Sequence, residues 1–277
     1  MDKRLAMSFI HRMFDMFRAK KSLGQNFLVN PGVLDKITAA AQLNKNDIVL
    51  EIGPGTGVLT EKLAETLRQS SEQEAGRVVA VEKDHQLIKE LGEKFKNTNV
   101  EIIEADILKL DIEKLFRNLK LEIRNFYYKV VGNIPYYITS HLLKTIFEKW
   151  PRPKLIVLMV QKEVAQRIVA KPPKMNLLAL SVQFYAEPKI VNYVSRGSFR
   201  PMPKVDSAII SLRPKALNLK PEFRKEFFKL IKTAFAGKRK QLKNTIGLEI
   251  LKRAGIKPET RPEELSLDDW DNLTACG

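Results

Sequence analysis

At the end of the apolar run Val130-Val131-Gly132 come, in order, a side-chain carbonyl at Asn133, a main-chain carbonyl at Ile134, a proline and an aromatic ring. The two carbonyls are hydrogen-bond acceptors, and Pro135 limits the backbone freedom that would blur their aim. Paired acceptors on a stiff turn suit an amine. Tyr136 adds a flat π-face beside them, which is what a site needs if the amine belongs to an aromatic base held by stacking. The same residues also fit a plainer role, a strand-to-helix turn in which Asn133 caps a helix running from Tyr137 to Trp150.

A second group of residues points to a nucleotide-like ligand. Asp47 to Ile52 reads as a strand that runs into Gly53-Pro54-Gly55-Thr56-Gly57, and Val58, Leu59, Leu63, Ala64 and Leu67 then repeat at helical spacing. A dinucleotide fingerprint needs its third glycine at the position held by Val58, and no Gly-Lys-Ser/Thr is present, so neither NAD or FAD binding nor a P-loop is expected. The next strand, Arg77 to Glu82, ends in a carboxylate able to accept from both hydroxyls of a ribose. A third, Asn99 to Ile103, is followed by Glu104-Ala105-Asp106, where Asp106 suits an adenine amine. Singly, each acid reads equally well as a helix cap or a solvated loop residue. Three successive strands ending in Gly53, Glu82 and Asp106 place the set at one sheet edge.

A third group is basic. The chain carries 48 Lys and Arg against 32 Asp and Glu, a formal charge of +16 over 277 residues with a pI near 9.8. Such a balance points to a polyanionic partner, nucleic acid before membrane. Twelve Lys or Arg face three Glu between Lys215 and Arg253, densest at Lys238, Arg239, Lys240 and Lys243. Lys20 and Lys21 open a glycine-containing loop, and Arg200 and Lys204 lie on the proline-braced stretch Ser198 to Val205. Each fits either a solvated face or phosphate contact, and the net charge favours the second. Phe199, on the same stretch, fits either the core or the second face of a base sandwich.

The elements that must position these groups follow from periodicity. Further strands are expected at Leu155–Val160, Leu177–Tyr185 and Asp206–Leu212, with helices at Pro31–Ala41 after Asn30, at Gln161–Arg167 and beyond Pro214. Lys20 to Leu28 reads as a linker or a lid over a ligand. Residues 5 to 18 suggest a short amphipathic helix, too interrupted by charge for a signal or spanning segment. The lone Cys276 leaves no disulfide framework and no CxxC pattern, so no metal and a reducing cytoplasm are expected.

Taken together, Lys21-Ser22-Leu23-Gly24-Gln25-Asn26-Phe27-Leu28, Glu51-Ile52-Gly53-Pro54-Gly55-Thr56-Gly57, Asn133-Ile134-Pro135-Tyr136, Gln161-Lys162-Glu163-Val164-Ala165 and Pro203-Lys204-Val205-Asp206-Ser207-Ala208 resemble the KsgA-type small-subunit ribosomal RNA adenine dimethyltransferases. The wider class includes the erythromycin-resistance large-subunit methylases. The resemblance spans roughly residues 20 to 247 and departs at Lys174-Met175-Asn176-Leu177-Leu178, which lacks the glycine common there. It implies a Rossmann-like α/β fold with a seven-stranded, mostly parallel sheet and a small helical C-terminal domain. The implied domains are an extension over 1–19, a catalytic domain over 20–213 and an RNA-binding domain over 214–277. It further implies S-adenosylmethionine as cofactor, with Asn26, Leu28, Gly53, Gly55, Glu82, Asp106 and Asn133 contacting it and the Asn133 turn receiving the target adenine. The expected activity is dimethylation of two adjacent adenines near the 3′ end of small-subunit ribosomal RNA, by a monomer acting on the assembling particle. The alternatives are a large-subunit methylase of the resistance type and a non-catalytic RNA-binding assembly or transcription factor on the same fold.

Overall fold

The computed structural model describes residues 19–20, 23–68, 76–121, 128–216, 219–237 and 240–277. The expected helix over 5–18, together with Lys21, Lys238 and Arg239, lies outside the described residues. By contacts the chain divides into two compact units, one taking residues up to Lys162 and Ile190–Arg213, the other Glu163–Lys189 and Pro214–Gly277. The expected division at 213/214 left 163–189 with the sheet, whereas these residues cluster with the helical unit.

The strands are β1 (Phe27–Leu28), β2 (Ile48–Ile52), β3 (Arg77–Glu82), β4 (Val100–Glu104), β5 (Tyr128–Asn133), β6 (Leu155–Gln161), β7 (Ala186–Val194), β8 (Phe199–Arg200) and β9 (Ser207–Pro214). Seven of them form one sheet in the order β4-β3-β2-β5-β6-β9-β7, and β1 pairs with β8 in a separate antiparallel ladder. β2 through β6 run parallel, and β9 is antiparallel to β6. β2, β5 and β6 are Val/Ile/Leu-rich and nearly all buried, as expected for parallel strands covered on both faces. Helix α1 (Pro31–Ala41) packs on β5 and β6, and α2 (Val58–Leu67) on β3. Asn30 caps α1 by accepting from Gly32 N at 3.0 Å, with Pro31 at the position where a missing N–H costs nothing.

Two features of the sheet place the site. The order reverses between β2 and β5, since the chain moves outward through β3 and β4 and then returns to the other side of β2. Ligands bind at the carboxyl ends of the strands flanking such a reversal. The register sets Ile52 beside both Val81 and Gly132, so Gly53, Glu82 and Asn133 leave the sheet at one level. At Gly132 an added Cβ would lie 2.7 Å from Ile52 O, so only glycine allows β2 and β5 to approach this closely.

Remaining helices are α3 (His85–Lys94), α4 (Ile112–Asn118), α5 (Thr139–Lys149), α6 (Lys162–Ile168), α7 (Leu177–Tyr185), α8 (Pro221–Ala236), α9 (Leu248–Arg253) and α10 (Leu267–Cys276). α7 corrects an expectation, because Leu177–Tyr185 was read as a strand. Asn176 caps it through Ala179 N at 3.0 Å, and Ala179, Leu180, Val182, Phe184 and Tyr185 are buried. A short apolar run buried on most sides shows no periodicity that separates helix from strand. The missing strand is β7, at the sheet edge, where Pro188 is tolerated and Glu187, Lys189 and Asn192 dilute its apolar signal. In the second unit Phe184 packs on Phe227 with ring centroids 4.4 Å apart, and Phe235 meets the fully buried Trp270. Ser266 and Asp269 cap α10 reciprocally. Among the described residues no helix is long and apolar enough to cross a membrane.

Candidate active site

A cleft in the first unit is lined by the glycine turn, the ends of β3 and β4, the Asn133 turn and the loop before β1. Gly53, Gly55 and Gly57 all adopt the left-handed φ that favours glycine, +67°, +58° and +76°. At Gly55 a Cβ would also lie 3.0 Å from the Phe27 ring, so a side chain there would be crowded as well as strained in φ.

Glu82 is 9% exposed and accepts backbone N–H bonds from Gly55 at 3.2 Å, Lys83 at 2.8 Å and Asp84 at 2.9 Å. Burial raises its pKa, and these three N–H groups offset part of the rise. The carboxylate is thus held rigidly against the glycine turn. Asp106 accepts from Leu108 N at 3.1 Å and pairs with Lys83 Nζ at 3.0 Å. Burial opposes its charge, but Lys83 and the Leu108 N–H outweigh this and leave its pKa below the ordinary value.

Asn133 does not cap a helix. α5 begins at Thr139 after a short 3-10 turn and has no side-chain cap. Instead Asn133 Nδ2 donates to Asn26 O at 3.0 Å, which fixes the amide orientation, since only the nitrogen can donate to a carbonyl. The Tyr136 ring is half-buried, its hydroxyl 2.7 Å from Ser207 Oγ, while Tyr137 is 65% exposed and lies against Gly24.

Lys20 and the stretch Leu23–Leu28 are fastened over the same edge. Lys20 Nζ meets Asp84 Oδ1 at 2.6 Å and Gln25 Nε2 meets Asp84 Oδ2 at 2.8 Å, while Gln25 Oε1 accepts from Lys20 N. Burial works against the Asp84 charge, and Lys20 and Gln25 more than compensate, so its pKa is lowered. Lys20, expected on phosphate, is therefore committed to a carboxylate. Asn26 lines the cleft, and Leu28, 3% exposed, pairs with Phe199 in the β1–β8 ladder.

Phe199 corrects a second expectation. It is 0% exposed, packs in the core cluster and does not line the cleft, so it presents no free face beside Tyr136. Its main chain completes the β1–β8 ladder, and the burial that this pairing imposes takes the ring inward. Arg200 is exposed, with its guanidinium on Phe199 O at 2.9 Å, and Lys204 is exposed. Lys240 is exposed, and Lys243 pairs with Glu259 at 3.3 Å.

Four neighbours of the candidate site were not singled out from the sequence. Asp84 follows Glu82 by two residues and caps α3 through Gln86 N at 3.1 Å. Ser207 and Lys83 reach their partners only through the fold. Glu51, one residue inside β2, is 1% exposed yet lines the cleft.

Similar proteins identify the family and the fold. The model of the family described as ribosomal RNA adenine dimethylase matches residues 16–275. The Ribosomal RNA small subunit methyltransferase A of Dehalococcoides mccartyi is 44% identical over 268 residues, covering 92% of this chain and 87% of that protein. Among solved structures, a dimethyladenosine transferase from Plasmodium falciparum superposes with a TM-score of 0.70 at 29% identity, covering 89% of this chain and 95% of the other. The 23S rRNA methyltransferase ErmE gives 0.70 at 26%, covering 91% and 99%. Family model, sequence relatives and fold converge, and the chain belongs to the ribosomal RNA adenine dimethylase family.

Proposed function

We propose that the chain transfers methyl groups from S-adenosylmethionine to the exocyclic amines of two adjacent adenines near the 3′ end of small-subunit ribosomal RNA, two per base, during subunit assembly. The observation that carries this reading is the convergence of the Asn133-Ile134-Pro135-Tyr136 turn with Gly53, Glu82 and Asp106 in one cleft.

The residues present fit that cofactor. Gly53 and Gly55 leave room for close backbone approach, Glu82 is a fixed acceptor for ribose hydroxyls, and Asp106 keeps acceptor capacity for the adenine amine beside Lys83. Asn26 and Leu28 close the cleft from the loop side. Bound S-adenosylmethionine supplies the electrophilic methyl carbon and the thioether leaving group. The chain's own part is to bind, orient and desolvate.

Asn133 Oδ1 and the Ile134 carbonyl accept the two hydrogens of the amine. This draws the nitrogen toward tetrahedral geometry and frees a lone pair that is otherwise delocalised into the ring. Tyr136, its hydroxyl held 2.7 Å from Ser207 Oγ, stacks on the base. With the reactants held in line, most of the acceleration comes from positioning. Lys204, Arg200 and the basic run around Lys238–Lys243 would contact phosphates.

Incubation with tritium-labelled cofactor and either small-subunit particles or large-subunit RNA tests the reading. Label in dimethyladenine of the small-subunit RNA is expected. Label only in large-subunit RNA would indicate the resistance-type activity, and none in either would indicate a non-catalytic binder.

A further inference from the structure

Glu51 is a residue of the cleft lining for which methyl positioning has no use. It precedes Gly53 by two residues on β2, is 1% exposed and belongs to the cleft lining, and among the described residues neither carboxyl oxygen has a hydrogen-bond partner. The groups facing it are the Thr60 hydroxyl from α2, the Glu82 carboxylate from β3 and the Lys94 ammonium from α3. Thr60 makes no hydrogen bond of ordinary geometry with it, and Lys94 is paired with Glu61 at 3.0 Å. Burial is the main influence on this carboxyl. Together with the repulsion from Glu82 it outweighs Thr60 and Lys94 and pushes the pKa up to about 8. A cation beside it would offset the cost of ionising a buried carboxyl that has no hydrogen-bond partner among the described residues.

We propose that Glu51 is the residue by which the cleft tells a cationic cofactor from its demethylated product, ionising against the positive charge that S-adenosylmethionine carries and S-adenosylhomocysteine lacks. The inference rests on the cofactor reading above. The first ligand carries a sulfonium and an ammonium against one carboxylate, whereas the second, a thioether, is neutral overall. On binding the cation, Glu51 releases its proton to solvent. When the methyl leaves sulfur for the amine nitrogen, the sulfur keeps the bonding electron pair and the nitrogen gives up one proton to solvent. Glu51 then regains a proton from solvent, and with its charge gone it no longer favours the cation's site over release of the neutral product.

The test is calorimetric binding of each ligand to the full chain and to Glu51→Gln, between about pH 6 and about pH 8.5, in two buffers of different ionisation heat that report protons released. In the unchanged protein the affinity ratio of cation to neutral product should rise with pH, by at most about tenfold per unit, and level off near the point where Glu51 ionises unaided. In Glu51→Gln that rise and the matching proton release should both be lost. The ligands' own amines titrate identically in both proteins, so the difference belongs to Glu51. Equal pH slopes and equal proton counts in the two proteins would overturn the proposal. If the glutamine variant melts early, Glu51→Leu gives the same comparison without a charge. If neither ligand binds the unchanged protein, the cofactor reading itself fails, and the inference with it.

Discussion

The side-chain nitrogen of Asn133 donates to the backbone carbonyl of Asn26 across 3.0 Å, tying the acceptor turn after β5 to the loop before β1. One amide thereby does two jobs, since its nitrogen fastens the loop while its oxygen stays available to an amine. Asn133→Ala should therefore cut single-turnover methylation by about a hundredfold or more, the usual loss when a preorganised polar partner is removed from a reacting centre. The thermal midpoint should move little, because Asn133 caps no helix. A variant that melts lower yet methylates at the normal rate would leave Asn133 as a purely structural tie.

Tyr136 separates stacking from polar positioning. Tyr136→Phe keeps the ring and loses only the 2.7 Å contact with Ser207, so RNA affinity should change little. Tyr136→Ala removes the stacking face and should weaken binding of the target strand by about 1–3 kcal/mol. Titration of a short target RNA into both variants checks this. Equal losses would mean that the hydroxyl, not the ring, is what matters.

Which of these relations the sequence could reveal follows from how far apart the partners lie along the chain. The glycine turn, Glu82, Asp106 and the Asn133 turn each end a parallel strand, and strand ends can be read from apolar runs that stop at polar residues. Contacts between distant segments could not be read. Nothing near Asp84 announces Lys20 and Gln25, which lie 64 and 59 residues away, and nothing near Tyr136 announces Ser207. Phe199 was open because a short stretch between prolines does not say which way its ring turns, and pairing with Leu28 decides it. β7 was missed because an edge strand with one wet face lacks the apolar run of its buried neighbours.

Glu82→Ala should weaken S-adenosylmethionine binding by about 1.5–3 kcal/mol, the typical cost of losing a charged acceptor. It also strips three backbone N–H groups of their partner, so some loss of stability is expected. Glu82→Gln retains an acceptor and should fall between the two in calorimetry. Unchanged cofactor affinity in Glu82→Ala would remove the residue from the site.

Neutralising Lys238, Arg239, Lys240 and Lys243 together should flatten the salt dependence of RNA binding. Each true phosphate contact contributes about 0.7–0.9 to the log–log slope. Lys243 should contribute least, because it exchanges Glu259 for the phosphate. Binding measured across a salt series gives the slope, and an unchanged slope would identify the cluster as a solvated face.

The last prediction concerns stability rather than turnover. In the folded chain without ligand, burial holds the Glu51 carboxyl protonated to about pH 8, while the unfolded chain releases that proton near its ordinary value of 4.5. Because the folded state holds the extra proton, stability from this group is greatest below the unfolded value and is lost as pH rises through the folded one. The loss amounts to a few kcal/mol in order of magnitude. Glu82, also raised by burial, works in the same direction, whereas Asp84 and Asp106 are lowered and cost stability only in more acid solution. The comparison with Glu51→Gln isolates the group. Near pH 5 a protonated carboxyl and an amide are alike in shape and charge, so the two proteins should melt together. Near pH 8 the unchanged protein must either keep a proton against the solvent or bury a bare charge, and the glutamine variant should melt higher. Thermal melts in the absence of ligand at both pH values decide it. A difference that stays constant from about pH 5 to about pH 8 would mean that Glu51 is ionised throughout, and so has a partner in the folded chain.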